Sequence, residues 1–163
     1  MKLIAHRGLF SGPDVNLENR PEQIELALQH GFDCEIDLWI IDGNLFLGHD
    51  RPDYLVEPKF LNNHGLWIHA KNLAALRYLS ETSLTYFWHQ SDDCVITSNG
   101  YIWTYPEKEL TDRSVRLMPE WKNPTLEGIE ATSCYAICSD YVELIKTKFE
   151  VKFQRDVVLD LIG

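Results

Sequence analysis

Gly31-Phe32-Asp33-Cys34-Glu35-Ile36-Asp37-Leu38-Trp39-Ile40-Ile41 is the stretch whose reading decides the fold. Gly31 is a natural helix stop, and Cys34 to Ile41 reads as a strand. Side chains at i and i+2 share a strand face, about 7 Å apart. Glu35 and Asp37 therefore point one way while Ile36 points into the opposite layer. Two carboxylates side by side on an otherwise apolar strand are unfavourable unless a cation neutralises them. Two hard oxygen ligands suit Mg²⁺ or Ca²⁺.

Outward from this strand the pattern alternates. Asn19-Arg20-Pro21 opens the preceding helix, with Asn as its cap and Ile24, Ala27 and Leu28 as its apolar stripe. Before it, Lys2-Leu3-Ile4-Ala5 is a short strand ending at His6-Arg7-Gly8. After the central strand, Asp42-Gly43 (or Gly43-Asn44) marks a tight hairpin returning through Leu45-Phe46-Leu47 to Gly48-His49-Asp50. Pro52 and Pro58 punctuate a loop. Leu66-Trp67-Ile68 is a third strand ending at His69-Ala70-Lys71, and Asn72 caps a helix to about Ser80. Further strands read at Leu84–Trp88, Val95–Thr97, Tyr101–Tyr105, Val115–Leu117 and Tyr135–Cys138. A last helix fits Tyr141, Leu144, Ile145 and Lys148; the type of the tail from Val151 to Ile162 is not legible.

Strand–helix–strand order predicts an α/β protein with parallel strands. A complete (β/α)₈ barrel needs about 200–250 residues, and this chain has 163. The expectation is a single domain over residues 1–163, folded as a compressed or incomplete TIM barrel with several helices replaced by loops or hairpins.

The formal charge of −10 disfavours nucleic acid and anionic membrane surfaces as partners. No apolar run approaches the roughly 20 residues that cross a bilayer, and no signal peptide is visible, so a cytoplasmic protein without membrane insertion is expected. The four cysteines read as buried small hydrophobes in a reducing compartment.

Polar residues collect where strands end: His6 and Arg7, Glu35 and Asp37, His49 and Asp50, His69 and Lys71. In parallel α/β folds these ends share one rim, where sites are built. Histidine gives or takes a proton near neutral pH, so His6 and His49 are the candidate acid and base. Arg7 and Lys71 supply the local positive charge an anionic substrate would need. Later in the chain Trp88-His89-Gln90, Asn99, Tyr101, Trp103 and Tyr105 place aromatic faces beside hydrogen-bonding groups, which suits a polyol or sugar substituent. His89 and Trp103 are the substrate-binding candidates among them.

Ile4-Ala5-His6-Arg7-Gly8, Leu17-Glu18-Asn19-Arg20-Pro21-Glu22, Gly31 to Asp37, Asp42-Gly43 and Gly48-His49-Asp50 together resemble the glycerophosphodiester phosphodiesterase family in order and spacing. The resemblance covers residues 4–50 and thins beyond about residue 75. It implies a TIM barrel related to phosphatidylinositol-specific phospholipase C, a divalent cation on Glu35 and Asp37, and His6 with His49 as acid–base pair. It further implies Arg7 near the phosphate, Glu18 beside the metal or orienting His6 and Arg7, Lys71 at the third strand end, and Asp140 at the last strand–helix junction.

One departure stands out. The family pattern Ile-Glu-Ile-Lys reads here Ile68-His69-Ala70-Lys71. His69 is then a candidate metal ligand, directly or through water, in place of a carboxylate, a change that removes one negative charge and favours a nitrogen-tolerant ion such as Mn²⁺. The expected activity is metal-dependent hydrolysis of a small phosphodiester, either a glycerophosphodiester or a polyol or sugar-phosphate diester. The alternatives are lyase-type cleavage to a cyclic phosphate, or an inactive relative that binds a phosphorylated ligand.

Overall fold

The structure, a computed structural model, describes residues 1–162, and for residues 153–162 the backbone alone. It is a mixed α/β fold of ten strands in one sheet with three α-helices. The chain runs β1 (Lys2–Ala5), α1 (Pro21–Gln29), β2 (Asp33–Ile41), β3 (Asn44–Leu47), β4 (Tyr54–Val56), β5 (Leu66–Ala70) and α2 (Leu73–Ser80). It continues through β6 (Tyr86–Phe87), β7 (Cys94–Ile96), β8 (Ile102–Thr104), β9 (Ser114–Leu117), β10 (Ala136–Ser139) and α3 (Val142–Ile162). Seven strands run parallel in the order β8-β9-β10-β1-β2-β5-β6. The β3–β4 hairpin is antiparallel to β2, and β7 is antiparallel to β8.

Local chemistry explains the early elements. Gly31 takes φ 84° just after α1, a left-handed value that costs glycine nothing. Asp42 (φ 49°) and Gly43 (φ 80°) make the two-residue turn from β2 into β3. Asn72 caps α2, its side chain accepting from the Ala75 N–H. The cap expected at Asn19 is not formed: Arg20 occupies that position without a side-chain cap bond.

Strand alternation sorts the side chains into two layers. Cys34, Ile36 and Leu38 of β2, with Ile68 and Ala70 of β5, pack outward against Ile24 and Ala27 of α1 and Ala75 and Leu79 of α2. Each fully buried Ile or Leu there contributes ~1.5–3 kcal/mol of transfer free energy. The inner layer is separate: Ile4, Trp67, Phe87, Trp103, Val115, Leu117, Met118, Ala136 and Cys138. Phe87 of β6 and Trp103 of β8 stack at 4.5 Å across this interior although their strands are not hydrogen-bonded neighbours. A backbone bond from Ser98 to the Tyr86 carbonyl (2.8 Å) links the same two regions. The sheet is thus curled, as in an incomplete barrel.

Between Ser80 and Val142 the described chain contains no α-helix, compatible with an incomplete barrel, and 3₁₀ turns at Pro119–Trp121 and Ile129–Ala131 stand in the last strand connection. Other readings change or are completed. The loop between Pro52 and Pro58 holds β4, which pairs with β3. α3 continues through the tail as backbone helix to Ile162. Cys34 and Cys138 are buried, but Cys94 is exposed, because β7 lies at an edge of the sheet without a helix over it. Among the described residues no helix is long and apolar enough to cross a membrane.

Candidate functional site

The site begins where β1 ends. Ala5 pairs with Ser139 in register, so the next residues, His6 and Asp140, leave β1 and β10 side by side. The chain turns sharply at Arg7, whose backbone is left-handed (φ 51°, ψ 29°). Gly8 follows with φ 81°, and a Cβ there would lie 3.0 Å from the Ile24 side chain. This turn aims the Arg7 N–H at Glu35 Oε2, 3.2 Å away.

Asp37 is the hub. Its carboxylate accepts from Asn19 Nδ2 at 2.9 Å, and its own N–H donates to Asn19 Oδ1 at 2.9 Å. Asn19 is fully buried with φ 58°. The residue that looked like a helix cap is instead a two-point clamp on the acidic strand. The same carboxylate lies 3.0 Å from His69 Nδ1, 3.3 Å from Lys71 Nζ and 3.3 Å from Arg7 Nε. The last contact lacks hydrogen-bond geometry, and Nε remains sealed and unpartnered. Glu18 takes the other end of the guanidinium, Arg7 Nη1 to Oε2 at 2.7 Å. Burial would raise the Asp37 pKa, but the His69 bond and the Lys71 and Arg7 charges hold it well below the usual carboxylate range. Glu35 moves oppositely: burial and the adjacent Asp37 push its pKa up.

The two histidines of the expected acid–base pair differ in setting. His6 Nδ1 bonds Asp140 Oδ1 at 2.8 Å. Burial opposes charge on this ring, yet the Asp140 bond and the Glu35 charge outweigh it, and its pKa is raised. His49 is 40% exposed at the end of the β3 arm, tied to the more exposed Asp50 at 2.7 Å. Partial burial and the Arg7 and Lys71 charges hold its pKa below the ordinary histidine value. Gly48, just before it, has φ 148°; a Cβ there would collide with the Arg51 carbonyl oxygen. The Gly48 carbonyl in turn accepts from the Trp39 indole at 2.6 Å.

These groups converge on one small cleft of about 80 Å³. His6, Arg7, Glu35, Asp37, His49 and His69 form its charged wall. The facing wall is Phe87, His89, Trp103, Tyr105, Leu117, Met118 and Trp121, with no fixed charge. His69 joins the walls: it stacks on Phe87 (5.0 Å, 6°) and its Nε2 meets the His89 carbonyl at 3.2 Å. Both ring nitrogens of His89 are sealed and lack partners, and burial lowers its pKa. Trp103 is buried in the inner layer and forms cleft floor rather than an exposed platform.

Eight of the sequence candidates therefore line the cleft, and Glu18, Lys71 and Asp140 each touch one of them. Other aromatics of the second half are elsewhere. Tyr101 stacks with Tyr135 at 3.7 Å and neighbours Trp67, Trp88 packs on the outer layer, and Asn99 holds the β7–β8 turn. Sequence reasoning did not find Asn19 as a clamp, nor Phe87, Leu117, Met118 and Trp121. Residues 118–133 offer no periodic signal, whereas Asn19 was visible within the Glu-Asn pair.

Glu35, Asp37 and His69 each bring a ligand atom within 4.8 Å of the others. Two carboxylates and an imidazole are a fitting donor set for a divalent ion. Glu35 Oε1 faces no hydrogen-bond donor among the described residues, which leaves it available. An ion would take one His69 nitrogen from its present acceptor and would compete with Arg7 and Lys71 for Asp37. Compared with family models, with curated proteins and with solved structures, the chain matches none.

Proposed function

We propose that this chain is a metal-assisted phosphodiesterase of the glycerophosphodiester phosphodiesterase type, on a TIM-like barrel shortened in its second half. It hydrolyses a small phosphodiester, a glycerophosphodiester or a polyol or sugar-phosphate diester. The observation that carries this reading is geometric: His6, His49 and Arg7 line one cleft with Glu35, Asp37 and His69, whose ligand atoms lie within 4.8 Å of one another.

His6, with Nδ1 on Asp140 and its pKa raised, is the proton donor in this reading, and His49, more exposed and with its pKa lowered, is the acceptor. Neutral His49 is suited to take the proton of the attacking nucleophile, and protonated His6 to give one to the departing alkoxide. Asp140 on Nδ1 leaves the Nε2 edge of His6 as its donor. Arg7, positioned by Glu18, has its guanidinium beside the cleft to neutralise phosphate oxygens. A divalent ion at Glu35, Asp37 and His69, when bound, supplies further charge against the same oxygens. The neutral aromatic wall receives the alcohol half of the diester.

Turnover of a panel of glycerophosphodiesters and sugar-phosphate diesters with Mg²⁺, Ca²⁺ or Mn²⁺, followed by phosphorus NMR, tests the proposal. Monoester product with chelator-sensitive activity is the expected result. A cyclic phosphate that accumulates moves the reaction to the lyase class. Tight binding of a diester with no turnover under any ion overturns catalysis.

A further inference from the structure

The connection after β9 contains a buried acid that the mechanism above does not use. Met118, left-handed at φ 42° and ψ 57°, donates its N–H to the Cys138 carbonyl at 2.8 Å and starts the Pro119–Trp121 turn. That turn places Glu120 against the end of β10, with 7% of its surface exposed. Glu120 Oε1 accepts two hydrogen bonds, from Ser139 Oγ at 2.8 Å and from the Asp140 N–H at 2.9 Å. Its Oε2 is sealed from solvent and has no partner.

A buried oxygen without a donor carries a desolvation penalty that an apolar residue of the same size would avoid. The other oxygen shows what is gained. Asp140 is gripped on both sides of its backbone: its N–H by Glu120, its carbonyl by the Gly12 N–H at 2.8 Å. Between those grips its carboxylate reaches His6 Nδ1 at 2.8 Å. The β1–β10 register ends at Ser139, so without Glu120 the Asp140 N–H would have no strand partner.

We propose that Glu120 is a positioning residue that acts through Asp140 to hold His6 aligned as proton donor. This rests on the reading of His6 as the acid. Glu120 touches none of the reacting groups; it fixes the peptide from which Asp140 points. The amide of glutamine offers the same Oε1 acceptor, whereas leucine offers none.

Two measurements test it. In the first, Glu120→Gln keeps kcat within about 3-fold of wild type, while Glu120→Leu lowers kcat by ~10-fold or more with little change in KM, as misplacement of an acid does. Adding Glu120→Leu to Asp140→Asn then gives no further loss, because both act on one link. In the second, which needs no substrate, the downfield His6 Nδ1–H proton signal is read by NMR. It persists in Glu120→Gln and is lost or moved upfield in Glu120→Leu while the methyl spectrum stays native. Should Glu120→Leu fail to fold, Glu120→Met, flexible enough to fill the same space, takes its place. An unchanged His6 signal in the apolar variant, or a rate loss that multiplies with Asp140→Asn, overturns the proposal. If no diester is turned over but the NMR arm behaves as stated, the positioning link stands and the assigned activity falls.

Discussion

The half of the molecule up to α2 and the half from β6 to β10 build the same curled sheet by different means. In the first, α1 and α2 cover the outward faces of β2 and β5, and the inward faces of the same strands carry Glu35, Asp37 and His69. In the second, strands of two to four residues run without helices between them, and the inward face carries Phe87, Trp103, Val115 and Leu117. Helix cover on one side allows charge on the other, since buried carboxylates must be held by fixed donors and cations. Where that cover is missing, large aromatic side chains fill the interior and the wall stays neutral. The charged and the neutral lining of the cleft thus come from separately built halves, and they are joined where Asp140 meets His6 and where Phe87 and the His89 carbonyl meet His69.

The largest expected contrast is in rate. His6→Ala and His49→Ala each lower turnover by ~10²–10⁴ on a substrate with a poor leaving group. Trp121→Ala on the facing wall raises KM several-fold and leaves kcat within a few-fold. An activated nitrophenyl ester is unsuitable, because its leaving group needs little protonation. A Trp121→Ala enzyme as crippled in kcat as His6→Ala would break the division of labour.

The next contrast is in stability, with the same residue type in both halves. Asn19→Ala strips both clamps from buried Asp37 and leaves alanine in a left-handed backbone, a loss of about 2–4 kcal/mol in urea unfolding. Asn99→Ala, in the exposed β7–β8 turn, changes stability by less than about 1 kcal/mol. Equal losses at the two positions would mean that the halves are not differently built.

The smallest contrast is in pH. The rate should follow a bell. Its acid limb reports His49 gaining a proton below the ordinary histidine value of about 6.5, and its alkaline limb reports His6 losing one above it. The linked stability has matching signs. His6, raised in the fold, stabilises below pH ~6.5, and this is lost as pH rises through its folded pKa. His49, lowered in the fold, destabilises as pH falls from ~6.5 through its folded pKa. Removing Asp140 with Asp140→Asn should draw in the alkaline limb and leave the acid limb in place; movement of both would show the two rings to be coupled.

The two halves were also unequally legible in the sequence. Period-two alternation over residues 33–41, the Asp42-Gly43 turn and the Asn72 cap each have one strong local cause, so β2, the hairpin and α2 could be read directly. Asn19 was misread because asparagine serves equally as a cap and as a tertiary clamp, and only the folded position of Asp37 distinguishes them. β4 is three residues between prolines, too short for periodicity to register. Met118, Glu120 and Trp121 were invisible because their roles depend on where β9 and β10 end, a long-range fact absent from local pattern. Aromatic residues near strand ends were legible as a group, but not which end: Tyr105 reached the cleft and Tyr101 the opposite cluster with Tyr135.

Gly48 sets a limit on how this protein can be altered. Its φ of 148° and the Arg51 carbonyl behind it leave no room for any side chain, while its own carbonyl is fastened to the Trp39 indole. In a saturation library the position before His49 should tolerate no replacement, although it lies in a connection between strands, where variation is usually free. The His49 side chain is 40% exposed, and among the described residues its one ion-pair partner is Asp50 at its side. A designer seeking to retune the reach of that histidine thus has a fixed pivot and a free lever: changes at Asp50 and Arg51 swing the ring, and the pivot must be left alone.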